Sequence, residues 1–276
     1  MENNAEQALS IANSTVGFIG VGNMGEALLV GLLKAGAKPS QISFAVRRAE
    51  RSVEIVSKYG IKPATLTEMA STCDVLLIIV KPQDLTTVTD LIAPVINPQS
   101  LVISFLAGKK TQTIAQLLGG NHSVIRVMPN TPTMLGVGMS GLSAGEHVSD
   151  GQIAYSKEFL DACGKVVQID EELQDALAAT SGSGPAYFFA FVEAMIAGAV
   201  ELGLGEDIAT TLTVQTILGA ARMLDETGKS ASTLRENVTS PKGMTYEGLK
   251  VFNEGHLGDV VAQAMKAARD RSRELA

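Results

Sequence analysis

Apolar residues fall along this chain in two rhythms. In the first part, short apolar runs end at glycine, proline or charge and alternate with amphipathic stretches: Thr15 to Ile19, Ile42 to Val46, Asp74 to Val80, Leu101 to Ser104 and Val124 to Met128. Continuous apolar runs suit strands covered on both faces, and their alternation with helical patterns predicts a parallel sheet between layers of helix. After Asp170 the strand-like runs stop, and Ala, Leu, Met and Gly recur at helical spacing to the end of the chain. Helices are predicted over about 186–202, 207–224 and 246–252. The boundary is placed near residue 172, between an α/β domain over 15–172 and an all-helical domain over 173–276, behind a loose tail over 1–14.

The first strand carries the most specific chemistry. It runs into Gly20-Val21-Gly22-Asn23-Met24-Gly25 and then into the helix-forming Glu26-Ala27-Leu28-Leu29-Val30. Glycine at the first place allows a sharp turn, at the second it lets backbone approach a pyrophosphate, and at the third it lets helix and strand pack closely. A dinucleotide pyrophosphate would then meet the free N–H groups at the start of that helix. This is the Rossmann arrangement, and the end of its second strand discriminates between nicotinamide cofactors. An acid there favours an unmodified ribose, but this chain has Arg47 and Arg48, whose planar guanidinium groups suit a 2′-phosphate. NADPH is the expected cofactor, with NADH possible. Val80-Lys81-Pro82, Ala107 and Asn130 follow later strands, where ligands of open α/β sheets collect.

Composition narrows the field. A chain of 276 residues, 46% of them hydrophobic, can fill two modest cores. The net charge of −7 gives no general basis for binding nucleic acid or anionic membrane, so an anionic ligand must be held by local groups. Cys73 and Cys163 lie far apart and read as reduced thiols, not metal ligands. The first residues lack a basic region ahead of an apolar run, and Glu193 and Glu201 interrupt the most apolar helix. A soluble cytoplasmic protein is expected. Because the helices after residue 172 are apolar on most sides, they are expected to finish their core against a second subunit, giving at least a homodimer.

Proton-transferring residues are scarce. No lysine occurs between Lys165 and Lys229, and His122, His147 and His256 pair with no carboxylate in a recognisable motif. Hydroxyls cluster instead at two predicted helix starts. Ser181-Gly182-Ser183-Gly184-Pro185 precedes the helix from 186, with Ser183 or Gly184 as its cap, and Val238-Thr239-Ser240-Pro241-Lys242-Gly243-Met244-Thr245 precedes the helix from 246. Such ends hold a small carboxylate without a dedicated basic side chain.

These elements in this order resemble the pyrroline-5-carboxylate reductases: the glycine turn at Gly20–Gly25, Val80-Lys81-Pro82, Met128-Pro129-Asn130-Thr131-Pro132, Ser181 to Tyr187, and Asn237 to Thr245. The resemblance covers nearly everything after the tail. It implies reduction of 1-pyrroline-5-carboxylate to L-proline, a Rossmann domain followed by a helical dimerisation domain, and a ring of dimers such as a decamer of five. It also implies that Thr245 bonds the ring nitrogen, that Ser240, Gly243 and Met244 hold the carboxylate, and that Ser183 and Val238 complete the substrate site. Reduction of a related cyclic imine, or NADP(H) binding without catalysis, are the alternative readings.

The family pattern Ser-Pro-Gly-Gly-x-Thr is broken at its first glycine, where this chain has Lys242. If that place needs a positive φ, lysine is strained there by about 1 kcal/mol or more. If it does not, the ammonium points to solvent or helps attract an anionic substrate.

Overall fold

The computed structural model describes residues 9–274. Residues 1–8 of the expected tail therefore lie outside the described residues. The chain is already folded ahead of the first strand: the Ser14 N–H bonds the Ser10 carbonyl at 3.0 Å, and Ile11 is buried in the core. Two compact units emerge, one made of the chain up to Ser183 together with residues from Ala268 on, the other of Gly184–Ala267.

The first unit is built on eight strands, β1 Val16–Ile19, β2 Ile42–Ala45, β3 Lys62–Pro63, β4 Val75–Ile78, β5 Leu101–Ser104, β6 Ser123–Met128, β7 Gly138–Ala144 and β8 Gly164–Gln168. Their order across the sheet is β3-β2-β1-β4-β5-β6-β7-β8. Helices α1 Asn23–Lys34, α2 Ala49–Tyr59, α3 Leu66–Thr72, α4 Leu85–Ile92, α5 Thr111–Leu117 and α6 Asp150–Asp161 join them. β1, β4 and β5 are buried at every position, as strands between two helical layers must be. One core, around Phe18, Leu28, Phe44 and Phe159, fills one side, and a second, around Ile19, Leu76, Ile92 and Ile114, fills the other. Cys73 and Cys163 are free and buried, and burial raises both thiol pKa values, that of Cys163 to about 11.

The expected parallel sheet needs one correction. β7 runs antiparallel to β6, with Arg126 opposite Ser143. A parallel return takes a crossover of roughly a dozen residues or more. The link from Met128 to Gly138, tightened by a 3₁₀ turn over Thr131–Leu135 and by Gly136 at φ 76°, is too short for that.

A second correction concerns residues 181–185. Helix α7, Gln174–Leu177, passes through a single π turn, Ala178–Gly182, and the helical run continues as α8, Gly184–Glu201. The Ser183 N–H bonds the Ala178 carbonyl at 2.8 Å, so the expected free helix start with Ser183 or Gly184 as cap does not exist. Local serine, glycine and proline content signalled a break that the fold does not make.

The second unit contains α8, α9 Glu206–Thr227, α10 Ala231–Asn237, α11 Met244–Glu254 and most of α12 Leu257–Glu274. Among its described residues only Gly184, Ala209 and Thr213 are buried. Phe188, Phe189, Ile208, Leu212 and Val251 are all more than half exposed. The run over 171–201 is also long and apolar enough to cross a membrane by length and composition, with a mean hydropathy of 1.3 over an 18-residue stretch. The expectation that Glu193 and Glu201 interrupt this helix enough to exclude such a span by composition is therefore not met.

Candidate functional site: a cofactor cleft and a helix-start loop

The first unit opens a cleft of about 500 Å³ at the carboxyl ends of β1, β2 and β4. Gly20, Gly22, Arg47, Arg48, Val80 and Lys81 line it. Gly20 has φ 97°, and a Cβ there would stand 2.7 Å from the Ile79 carbonyl oxygen. A Cβ at Gly25 would stand 2.6 Å from the Gly20 carbonyl oxygen, whereas one at Gly22 would meet nothing within 4 Å. Two glycines are thus fixed by packing, and the third faces open space, which is the cradle a pyrophosphate needs. Asn23 and Met24 begin α1, whose first turn no side chain caps. Pro82 starts the 3₁₀ turn Pro82–Asp84 beside the cleft, and Ala107 is exposed in the loop after β5.

Charges around the cleft are unequal. Arg47 is exposed and lies 3.4 Å from Asp84, a carboxylate that also lines the cleft. Arg48 is exposed at the start of α2. Arg51, one turn into α2, is nearly buried. Its Nε donates to the Val21 carbonyl inside the glycine turn at 3.0 Å, and its guanidinium pairs with Glu26 and with Glu54. Glu26 also accepts from Lys58 at 2.7 Å and Tyr59 at 2.5 Å. Burial pushes the Glu26 carboxyl up, but the hydrogen bonds from Arg51, Lys58 and Tyr59 outweigh it and bring the pKa down to about 2. The acid in the first turn of α1 is thereby neutralised by neighbours, and the glycine turn is tied to α2.

Asn130 has both ends of its amide engaged. Its Oδ1 accepts from the Met139 N–H at 2.9 Å, and its Nδ2 donates to the Ser181 carbonyl at 3.2 Å. Proline at 185 has no N–H with which to close the helical bond to that carbonyl. Asn130 supplies the missing donor.

In the second unit, Val238 ends α10, and Ser240 to Gly243 form a turn closed by the Gly243 N–H on the Ser240 carbonyl at 3.0 Å. Gly243 is the cap position of α11, where no side chain caps, so the N–H groups of the first turn, from Met244 and Thr245 on, lack partners within the helix. The Gly243 N–H, expected to hold a carboxylate, is instead committed to Ser240. Gly243 matters sterically, since a Cβ there would stand 2.5 Å from the Ser240 Oγ. Lys242 has φ 60°, so the strained alternative is the one adopted. Thr245 and Met244 are exposed, Met244 almost fully. His256 lies 3.5 Å from Asp259, and both side chains are largely in solvent.

A family model for pyrroline-5-carboxylate reductase dimerisation matches residues 171–275, and one for coenzyme F420-dependent NADP oxidoreductase matches residues 15–108. The pyrroline-5-carboxylate reductase of Pseudomonas aeruginosa is 39% identical over 263 residues, which cover 95% of this chain and 96% of that enzyme. The chain belongs to the pyrroline-5-carboxylate reductase family. The solved reductase of Coxiella burnetii superposes with a TM-score of 0.90 at 36% identity, over 95% of this chain and 98% of that one. The Plasmodium falciparum pyrroline carboxylate reductase, solved with NADP bound, gives 0.85 at 28% identity, over 96% and 99%.

For a pyrroline-5-carboxylate reductase the glycine turn was the readable part of the cleft. Its supports were not. Arg51 acts on Glu26 and Val21, and Asp84 acts on Arg47, across sequence separations that no local pattern spans. Only the spacing of Arg51 and Glu54, one helical turn apart, was visible beforehand.

Proposed function

We infer that this chain reduces 1-pyrroline-5-carboxylate to L-proline with NADPH, the final step of proline biosynthesis, and that NADH serves less well. The observation that carries this is identity of 36–39% to curated reductases over nearly the whole chain. The cleft fits the cofactor. Gly22 leaves room for a pyrophosphate, the start of α1 offers N–H groups, and Arg47 and Arg48 offer cations for a 2′-phosphate. When bound, the nicotinamide supplies the hydride that reduces the imine carbon.

The protein's own part is placement. A protonated cyclic imine is already electrophilic, so holding two ligands in line and excluding water provides most of the rate. In this reading the Thr245 hydroxyl bonds the ring nitrogen, while the Ser240 hydroxyl and the open N–H groups from Met244 on receive the carboxylate. Gly243 keeps the turn tight enough for both, and Ser183 and Val238 line the substrate. Asn23, Met24, Val80, Lys81, Pro82 and Ala107 belong to the cofactor side, and Asn130 shapes its wall. The absence of lysine between Lys165 and Lys229 fits a reaction that needs no strong general acid.

The same reading covers the exposed apolar residues of the second unit with a partner chain, in a homodimer and then a decamer of five dimers, in the cytoplasm. The border near residue 172 belongs to it, supported by a dimerisation match that begins at residue 171. Loss of reduced-nicotinamide absorbance on adding pyrroline-5-carboxylate tests the activity, and NADPH binding without turnover would overturn it. Thr245→Val should lower kcat by about tenfold to a hundredfold, and undiminished turnover at saturating substrate would remove Thr245 from the mechanism. Light scattering at the mass of one chain would refute the assembly.

A further inference from the structure

The cationic cleft contains one carboxylate among its lining residues, and it stands opposite the wrong partner for a phosphate site. Asp84 faces Arg47 at 3.4 Å, from a different element of the chain. Arg51 also lines the cleft, but Val21, Glu26 and Glu54 already occupy its guanidinium. At the end of β2 the cations open to a 2′-phosphate are Arg47 and Arg48, with Lys81 lining the cleft from the loop after β4, and Arg47 is partly neutralised.

The evident structural duty of Asp84 is limited to an acid's favourable place at the start of α4. It holds the cap position of α4, yet its side chain makes no capping bond, and its backbone N–H donates to the Lys81 carbonyl at 2.9 Å. Its side chain is about a quarter exposed, so it is partly withdrawn from solvent screening. The end of β2, where an NAD-selective acid would stand, holds Val46 and Arg47. A carboxylate has reached the same place from the loop after β4.

We propose that Asp84 is a cofactor-selectivity residue, which opposes the 2′-phosphate of NADPH at Arg47 and so holds down the preference for NADPH over NADH. This rests on the reading that Arg47 and Arg48 bind the 2′-phosphate. A phosphate monoester carries close to two negative charges at neutral pH, so on reaching Arg47 it must displace Asp84 or share the cation with it. Either way a like charge lies a few ångströms away. NADH brings no such charge, and the Arg47–Asp84 pair stays intact beneath an unmodified ribose.

The test is the ratio of kcat/KM for NADPH to that for NADH, in the full-length enzyme with pyrroline-5-carboxylate. Asp84→Asn should raise this ratio by roughly fivefold to tenfold, the gain expected from removing one partly screened charge at such a distance. The change should appear in the KM for NADPH and shrink as salt is added. Asp84→Glu should keep the original ratio. In an Arg47→Ala background the gain from Asp84→Asn should shrink, because competition for the Arg47 cation is gone and only the like-charge repulsion remains. The ratio cancels any general damage to the fold, since both cofactors meet the same protein. An unchanged or lower ratio in Asp84→Asn, while Arg47→Ala with Arg48→Ala collapses it, would overturn the role of Asp84 and leave the arginine reading standing. An unchanged ratio in the double arginine variant would overturn both.

Discussion

Lys242 holds a left-handed backbone conformation at φ 60°, in the loop where its family has glycine, so Lys242→Gly is expected to stabilise the protein. An L-residue in that region costs about 1–2 kcal/mol relative to its preferred conformations. Glycine removes the cost but adds about 0.5–1 kcal/mol of unfolded-chain entropy. The balance favours glycine by about 0.5–1 kcal/mol, which for a chain of this size raises Tm by about 2 °C. Thermal unfolding at one fixed protein concentration reads it, because an oligomer's Tm depends on concentration. Lys242→Ala is the control that separates backbone from charge: it loses the ammonium and keeps the strain, so its Tm should stay with the parent. The KM for substrate then sorts the two effects, since a change shared by both variants belongs to the lost charge. Lys242→Gly no more stable than Lys242→Ala would refute the strain argument.

Three further outcomes are expected. Gly243→Ala should raise the KM for pyrroline-5-carboxylate about tenfold or more, equivalent to losing one good contact, because the new Cβ displaces the Ser240 hydroxyl; the KM for NADPH should not move. Glu26 contributes stability that is fully present above its ordinary pKa of 4.5 and is lost as pH falls toward about 2. Glu26→Gln should therefore flatten the acid limb of the stability curve in that window, and an unaltered limb would refute the network described around Arg51. Asn130→Ala leaves the Ser181 carbonyl and the Met139 N–H without their partner, and should lower unfolding stability by about 1–3 kcal/mol by denaturant titration.

The nucleotide half was legible because its signals are local. Apolar runs buried at every position marked β1, β4 and β5, and glycines with steric duties marked the turn into α1. β7 was not legible, because Gly138-Met139-Ser140-Gly141-Leu142-Ser143-Ala144 is made mostly of small residues and lacks the β-branched content that signals a strand. Residues 181–185 misled for the opposite reason. Their chemistry says turn, and the helix survives because Asn130, far away in sequence, completes its hydrogen bonding. The departure at Lys242 was visible as a substitution, but whether it was strained depended on a backbone angle that sequence does not print.

The π turn at Ala178–Gly182 makes the helical run over 171–201 two helical wheels instead of one. A π turn accommodates an extra residue relative to an α-helix, and deleting one residue there would rotate Leu177 by about 100° against Ser183. Leu177, which now covers Gly141 of β7, would be carried off that strand. A protein engineer who straightened this segment into ideal helix would gain regular hydrogen bonds and lose the sheet contact. The irregularity is the gearing that fits the first end of the run to the sheet.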